Sequence, residues 1–329
     1  MATYKSLKGQ PIQVLTADPP APVEGQVWVV ANSGTASVMK GYALGTGAWA
    51  TGGNLNTGRK DASGFGEGHT ASIVAGGYSG AGATGAQVES YNGTAWSEIT
   101  ELSTQRAWSQ SGAGTTTAGL IFGGQPLPPG SGQLTATEEW GGSSWTNGGN
   151  LNQGRSMVGG AGTQTAGLCY GGLTPSKTVN TEEYNGSSWT EVNNLPTASA
   201  AVASSRGSAQ TNAFSAGGSP GSTAVNFYDG TNWTTGPSLN TARESAAGAG
   251  TSSLGLVSGG VPALANTEAF DGTSWTEVAD LATGRKDMGT GGKSTTNALV
   301  VGGNAHPTYY NNTEEWSAED FEIKTLTTS

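Results

Sequence analysis

Apolar residues in this chain come in short bursts. Ile73-Val74-Ala75, Leu120-Ile121-Phe122 and Leu299-Val300-Val301 each run straight into a pair of glycines. Brief apolar runs closed by Gly predict buried strands, whereas an amphipathic helix needs apolar positions every three or four residues over a longer window. The glycine pairs recur at Gly76-Gly77, Gly123-Gly124, Gly171-Gly172, Gly217-Gly218, Gly259-Gly260 and Gly302-Gly303, in steps of 47, 48, 46, 42 and 43 residues. An aromatic residue follows each pair, at Tyr91, Trp140, Tyr184, Tyr228, Phe270 and Trp316. A second stands five positions further on, at Trp96, Trp145, Trp189, Trp233, Trp275 and Phe321. Turn dipeptides such as Asn92-Gly93, Asn185-Gly186, Asp229-Gly230 and Asp271-Gly272 lie between the two. Asn-Gly and Asp-Gly accept the positive φ that a tight hairpin turn demands, so the two aromatics lie on paired strands. Ten residues after Trp49, Trp96, Trp145, Trp189, Trp233 and Trp275 come Arg59, Arg106, Arg155, Ser199, Arg243 and Arg285, each with Leu four positions before it.

The unit therefore reads as four antiparallel strands: a after the Arg, b ending in Gly-Gly, c ending in the first aromatic, d starting at the second. Four strands in about 45 residues make a propeller blade, which buries its faces only against neighbouring blades. Gly-Gly, then Tyr, then Trp, with Leu and Arg leading into the next unit, resembles the kelch repeat over about residues 45–325. The fold class expected is all-β, a kelch-like β-propeller. Gln26-Val27-Trp28-Val29-Val30, Ser37-Val38-Met39-Lys40-Gly41-Tyr42 and Ala48-Trp49 read as three further strands. The last repeat owns an outer strand around Phe321, so these three predict an irregular first blade over residues 24–51, ahead of six four-stranded units over 52–325. That count is seven blades; six blades with a separate N-terminal hairpin module is the alternative. Residues 1–23 read as an extended docking arm and 326–329 as a tail.

The copies differ mainly in one place. From the second Gly to the first aromatic the spacing is 14, 16, 12, 10, 10 and 13, while the aromatic-to-Trp and Trp-to-Arg steps hold at five and ten. Loops that only connect keep their length; loops that contact something else are free to vary. In a four-stranded meander the b–c and d–a connections share one face, which places the variable segments 78–88, 125–137, 173–181 and 304–313 on the Arg-bearing face. Tyr78, Pro126, Leu127, Pro128, Pro129, His306, Tyr309 and Tyr310 within them are candidate contact residues, aromatic and Pro side chains suiting contact surfaces. Mere tolerance of insertions is the competing account.

The in-register arginines invite reading as an anion-binding ring, but a second register argues for structure. Two residues before each first aromatic stand Glu89, Glu138, Glu182, Asn226, Glu268 and Glu314. Arg and Glu are both lost in the same copy, which has Ser199 and Asn226. Paired loss fits an ion pair within each blade, because removing one buried partner strands the other at about 3–5 kcal/mol. The expected pairs are Arg59–Glu89, Arg106–Glu138, Arg155–Glu182, Arg243–Glu268 and Arg285–Glu314.

Composition narrows the chemistry. Of 329 residues 55 are Gly, 34% are apolar and 12% charged, yet ten Trp, nine Tyr and six Phe set the chain apart from disordered filler. A net charge of −10 with thinly spread Lys and Arg argues against nucleic acid. No apolar run reaches the roughly 18 residues of a membrane helix, and the N-terminus lacks the apolar core of a secretory signal. Cys169 is the only cysteine, so no internal disulfide forms, and its place in a strand before Tyr170-Gly171 reads as core. His69 and His306 are isolated and make no metal site. Copper-radical oxidases also carry kelch-like propellers, but nothing here matches their Cys–Tyr cross-link and His ligands. A glycosidase needs two facing carboxylates, and most acids here belong to the Glu register or to hairpin turns. The expectation is no enzyme, no cofactor and no metal. Asn92 and Asn185 begin Asn-x-Ser/Thr sequons but read as turn residues.

The N-terminal stretch carries a second resemblance. Asp18-Pro19-Pro20-Ala21-Pro22-Val23-Glu24-Gly25-Gln26-Val27-Trp28, followed by Asn32-Ser33-Gly34-Thr35 and Gly47-Ala48-Trp49, is similar to the opening of virion proteins of tailed bacteriophages, marine ones in particular. That resemblance implies a multi-copy virion protein at the particle surface, in tail or capsid, attached to other virion proteins through its N-terminal arm. Its propeller would bind a host-surface glycan or protein, or else act purely as decoration or cement. An adaptor of kelch type that recruits a protein partner is a further alternative.

Overall fold

The computed structural model describes residues 13–15, 27–30, 38–43, 47–80, 85–109, 111–127, 132–206, 209–292, 294–318 and 322–326. Every regular element among them is a strand. The chain divides into two units, residues 47–317 and residues 1–46 together with 318–329. The smaller is one sheet with strand order Gln13–Leu15, Val27–Val30, Val38–Ala43, Glu322–Leu326, its first pair parallel and the others antiparallel. Trp28 and Val30 are its buried side chains among those described.

The larger unit is a six-bladed β-propeller, each blade a four-stranded antiparallel sheet. Blade 1 is Ser63–Gly68, Ala71–Ala75, Val88–Tyr91 and Trp96–Glu98. Blade 2 is Ala113–Thr115, Ala118–Phe122, Thr137–Trp140 and Trp145–Asn147; blade 3 is Gly159–Thr163, Ala166–Tyr170, Thr181–Tyr184 and Trp189–Val192. Blade 4 is Ala203–Ser204, Ala213–Ala216, Val225–Tyr228 and Trp233–Thr235; blade 5 is Ala247–Gly250, Gly255–Ser258, Thr267–Phe270 and Trp275–Glu277. Blade 6 takes its a, b and c strands from Gly289–Gly291, Asn297–Val301 and Thr313–Ser317, and its d strand from Ala48–Gly52. The a strands touch one another in cyclic order, that of blade 6 returning to that of blade 1.

The sixth blade corrects two expectations. Ala48-Trp49 does not belong to an irregular first blade, and the segment near Phe321 does not supply the last d strand. Phe321 lies outside the described residues, while Glu322–Leu326 pairs with Val38–Ala43 in the smaller sheet. The reason is visible in the register. In every blade the two aromatics face each other across the c–d pair, as Tyr91 with Trp96 or Phe270 with Trp275, and Trp316 faces Trp49. Their rings lie 4.9 Å apart for Tyr91–Trp96 and 5.3 Å for Trp316–Trp49. The d strand thus closes the ring from the far end of the sequence, which removes the open edge a linear stack would leave. The ring therefore has six blades, the lower of the two counts the sequence allows.

The Gly pairs end each b strand with two positive φ values, 70° and 99° at Gly76 and Gly77. A Cβ on Gly76 would stand 2.6 Å from the Arg106 carbonyl oxygen of the next blade. Gly77 N–H donates to that same oxygen at 2.9 Å, and each later pair repeats the bond down to Gly303 and Arg59 at 2.8 Å. Only Gly adopts this conformation while letting the neighbouring backbone come so close.

Side chains tie blades together in two further registers. Indole Nε1 of Trp96, Trp189, Trp233 and Trp49 donates to Thr313, Thr137, Thr181 and Thr267, the first c-strand residue of the preceding blade, at 2.9–3.1 Å. The hydroxyls of Tyr91, Tyr184 and Tyr228 donate to Glu315, Glu139 and Glu183 of the preceding blade. Where the first aromatic has no hydroxyl (Trp140, Phe270, Trp316), the preceding blade has Ser90, Phe227 or Ala269 at the Glu position. Burial and the bond to Glu139 push Tyr184 up to about 12, and Tyr91 and Tyr228 rise for the same reasons.

Two outcomes follow for stability. Trp49→Ala removes the closing ring pair and its hydrogen bond to Thr267, and lowers the urea unfolding free energy by about 3 kcal/mol. An unchanged midpoint would mean that blade 6 closes without this strand. A tyrosine whose folded pKa lies above its unfolded value of about 10 stabilises fully below pH 10, and that contribution is lost as pH climbs toward 12. Urea midpoints should hold steady from pH 8 to 9.5 and fall above pH 10, and the Tyr91→Phe/Tyr184→Phe/Tyr228→Phe variant should flatten that fall.

Candidate binding face

The b–c and d–a connections do share a face. Lys60 bridges to Tyr78, Ala107 to Gln125, Ser156 to Leu173, Arg243 to Ser222 and Lys286 to Asn304, each pairing a d–a segment with a b–c segment. The arginine that opens each d–a segment points back into its own blade. Arg106 Nη2 lies 2.8 Å from Glu138 Oε1, Arg243 Nη2 2.6 Å from Glu268 Oε1 and Arg59 Nη2 2.5 Å from Glu89 Oε1; Arg155–Glu182 and Arg285–Glu314 pair in the same way. All five guanidinium groups are buried. Arg106 Nη1 also donates to the Gly123 and Ala136 carbonyls at 2.9 and 3.0 Å, and Arg155, Arg243 and Arg285 repeat both bonds. The second carboxylate oxygen accepts the backbone N–H three residues before the Arg, from Asn56, Ser103, Asn152, Asn240 or Ala282, at 2.6–2.8 Å. Burial draws Arg106 below its ordinary pKa, and Glu138 offsets part of that. These arginines are committed to holding the d–a turn against strands b and c, and offer nothing to an outside anion.

Two residues past each Arg the backbone turns left-handed. Asp61, Trp108, Met157, Ala201, Ser245 and Asp287 have φ between 49° and 57°. A non-Gly residue held there costs on the order of 1–2 kcal/mol. A chain of hydrogen bonds over-determines the conformation: Met157 N–H donates to Trp108, Ala201 to Met157, Ser245 to Ala201, Asp287 to Ser245 and Asp61 to Asp287, at 2.6–3.0 Å. The chain runs around the propeller axis and seals blade 6 to blade 1. Its side chains, with Lys60, Glu244 and Lys286, line a cavity of about 270 Å³ at the mouth of the ring.

The structure brings some of the candidate residues together here and leaves others apart. Tyr78 stacks on Trp108 with ring centroids 6.0 Å apart and meets Tyr309 edge-on at 5.9 Å, so one row joins blades 6, 1 and 2. Lys60 Nζ lies 5.8 Å above the Trp108 ring, 2.9 Å from Asp61 and 3.8 Å from Asp287. Burial pulls the Lys60 ammonium down, but Asp61 and Asp287 outweigh it and hold its pKa above the ordinary lysine value. Asn304 Nδ2 donates to Asp287 at 2.8 Å. Tyr310 serves through its backbone, its carbonyl accepting from Arg59 N–H at 3.1 Å. His306 is exposed at the turn between Asn304–Ala305 and Thr308–Tyr309. Pro126 and Leu127 are half-buried, Leu127 beside Gly85. Pro128 and Pro129 lie outside the described residues.

His69 stands in the a–b turn of blade 1, where its backbone N–H and ring Nδ1 bond to Asn297 and the Trp316 carbonyl of blade 6. Cys169 is buried in a b strand, which pushes its thiol up to about 12. Among the described residues no three of His, Cys, Asp and Glu lie close enough to share a metal ion. Trp108 is the residue that sequence reasoning missed, because it belongs to no repeated motif. The signal was its position: two residues past the most constant Arg, the copies carry Asp, Trp, Met, Ala, Ser and Asp.

Compared with known proteins, the chain matches no family model and no curated protein.

The arginine clamp is testable in blade 3. Arg155→Ser strands Glu182 in the interior and costs about 3–5 kcal/mol in urea unfolding. Arg155→Ser/Glu182→Asn, which copies blade 4, costs less than Arg155→Ser alone. Strict additivity of the two single changes would count against a coupled pair.

Proposed function

We propose that this chain is a non-enzymatic surface protein of a tailed-phage particle that uses the propeller mouth to bind a host-surface receptor. The observation that carries the binding half is the Tyr309–Tyr78–Trp108 row beside a charged cavity. Aromatic side chains supply large contact area with little conformational entropy to lose, and they dominate binding energy where they cluster. Lys60 is paired with Asp61 and Asp287, and Asp287 also with Asn304, while Glu244 and Lys286 line the same cavity. Groups so paired suit recognition by charge and shape better than proton transfer. The virion half rests on the resemblance of Asp18–Trp49 to the opening of phage virion proteins, and residues 1–23 attach the propeller to neighbouring virion proteins. The kelch-like repeat supports the same reading, since such propellers are interaction scaffolds.

The test is Trp108→Ala in purified particles. Ala201 already occupies the equivalent left-handed position in blade 4, so the backbone accepts alanine there. Adsorption to host cells is expected to drop at least about tenfold while the particles keep the protein and their shape, a hot-spot aromatic being worth about 2 kcal/mol or more. Normal adsorption from particles that have become fragile would instead establish a cement role.

A further inference from the structure

Blade 4 departs from the other five at one place, where Ser199 and Asn226 replace the Arg and the Glu. The neighbouring chain does not close over the loss. A cavity of about 180 Å³ opens there, lined by Ser199, Ser215, Gly217, Ala224 and Asn226, with exposed Lys177 and Thr197 at its rim. Gly217 and Ala224 are the counterparts of Gly123 and Ala136, whose carbonyls receive Nη1 of Arg106 at 2.9 and 3.0 Å. The main chain around them keeps the common course. Gly217 N–H donates to Ala224 at 2.8 Å, as Gly123 does to Ala136 at 3.1 Å, and Gly172 N–H still reaches the Ser199 carbonyl at 2.8 Å. Asn226 keeps a side-chain oxygen at the Glu register position, accepting from Thr235 Oγ1 at 3.4 Å.

The blade has thus kept the backbone acceptors of an arginine clamp while its own arginine is gone. We propose that this cavity is a docking pocket for an arginine side chain of a partner protein. The guanidinium enters from the rim, presents its planar fork to the Gly217 and Ala224 carbonyls, and meets the Asn226 amide oxygen where the other blades offer a carboxylate. A lysine ammonium fits less well, because it is a compact charge without the flat pair of donors that two fixed carbonyls match. The net charge of −10 draws a basic partner at long range. Lys177, whose Nζ is held by the Ser219 carbonyl at 2.9 Å, opposes it locally and keeps single-site binding weak. The pocket is separate in chemistry from the aromatic row and does not rest on the receptor reading.

The experiment titrates the full chain with acetyl-arginine amide, acetyl-lysine amide and free L-arginine, reading NMR shifts of the Ser199 and Asn226 amides. The arginine amide is expected to shift both signals, and the lysine amide to shift neither at the same concentration. Asn226→Glu, which restores the carboxylate, should tighten arginine amide binding about tenfold or more, the worth of a charge-assisted hydrogen bond. Ser199→Arg/Asn226→Glu rebuilds the clamp of the other blades, fills the pocket and should abolish binding with the thermal midpoint kept or raised. Trp108→Ala should leave all of this unchanged, which separates the pocket from the aromatic mouth. An unshifted wild-type spectrum overturns the proposal even if Asn226→Glu binds. Equal response to the lysine amide, tighter binding of free L-arginine than of the amide, or binding that survives in a folded Ser199→Arg/Asn226→Glu protein also overturns it.

Discussion

A guanidinium buried at the mouth of each of five blades holds the rest of this propeller in place. The chain is only 34% apolar, and the small cores between neighbouring blades hold from four to nine buried apolar residues each among those described. Such cores bury too little surface to fix long connecting turns by themselves. The arginine does it with directed bonds: one Nη to two backbone carbonyls, the other to a glutamate whose second oxygen holds the turn that began the segment. Burial penalises each guanidinium, the paired glutamate and the carbonyls offset that penalty, and a half-made version would cost several kcal/mol. That asymmetry explains why the pair comes as a unit and leaves as a unit.

Once the turn after each Trp is fixed, its backbone is available for holding blades to each other. The Arg carbonyl receives the glycine N–H of the preceding blade, and two residues later the left-handed residue takes its place in the run of hydrogen bonds around the axis. Trp–Thr and Tyr–Glu bonds add specificity at the outer strands. These ties are nearest-neighbour terms, so the ring is stable only when closed, and Ala48–Gly52 must travel from the start of the sequence to close it.

Much of this was legible because the chain repeats itself. The strands, the glycine doublets, the facing aromatics and the Arg–Glu registers all follow from spacing, since each is imposed by the same geometry in every blade. The blade count was harder. Phe321 stands five residues after Trp316 and imitates the local motif, while the true partner, Trp49, is recognisable only by its distance of ten residues to Arg59. Local spacing cannot tell a hairpin partner from a strand that arrives from elsewhere. The Tyr–Glu bonds between blades were written in the sequence as well, in the match of Tyr91, Tyr184 and Tyr228 to Glu315, Glu139 and Glu183, but reading them requires comparing each copy with the one before it. Trp108 was not legible as a contact residue, because its value comes from Tyr78, which stacks on it from another blade and in turn meets Tyr309.

The division between constant and variable positions is therefore a division of labour along a few consecutive residues. At Arg the side chain is spent inward and the carbonyl backward. At the next position the backbone pairs with the variable loop. At the one after, the backbone is committed to the run of hydrogen bonds around the axis at a cost in strain, and the side chain differs from blade to blade. Asp, Trp, Met, Ala and Ser all occur there at nearly the same φ, so the frame tolerates any of them. A surface that keeps its backbone this fixed while its side chains change freely is suited to altering what it binds without refolding. The mouth varies by substitution at the ring, blade 4 by loss of its clamp, and both leave the frame as it was.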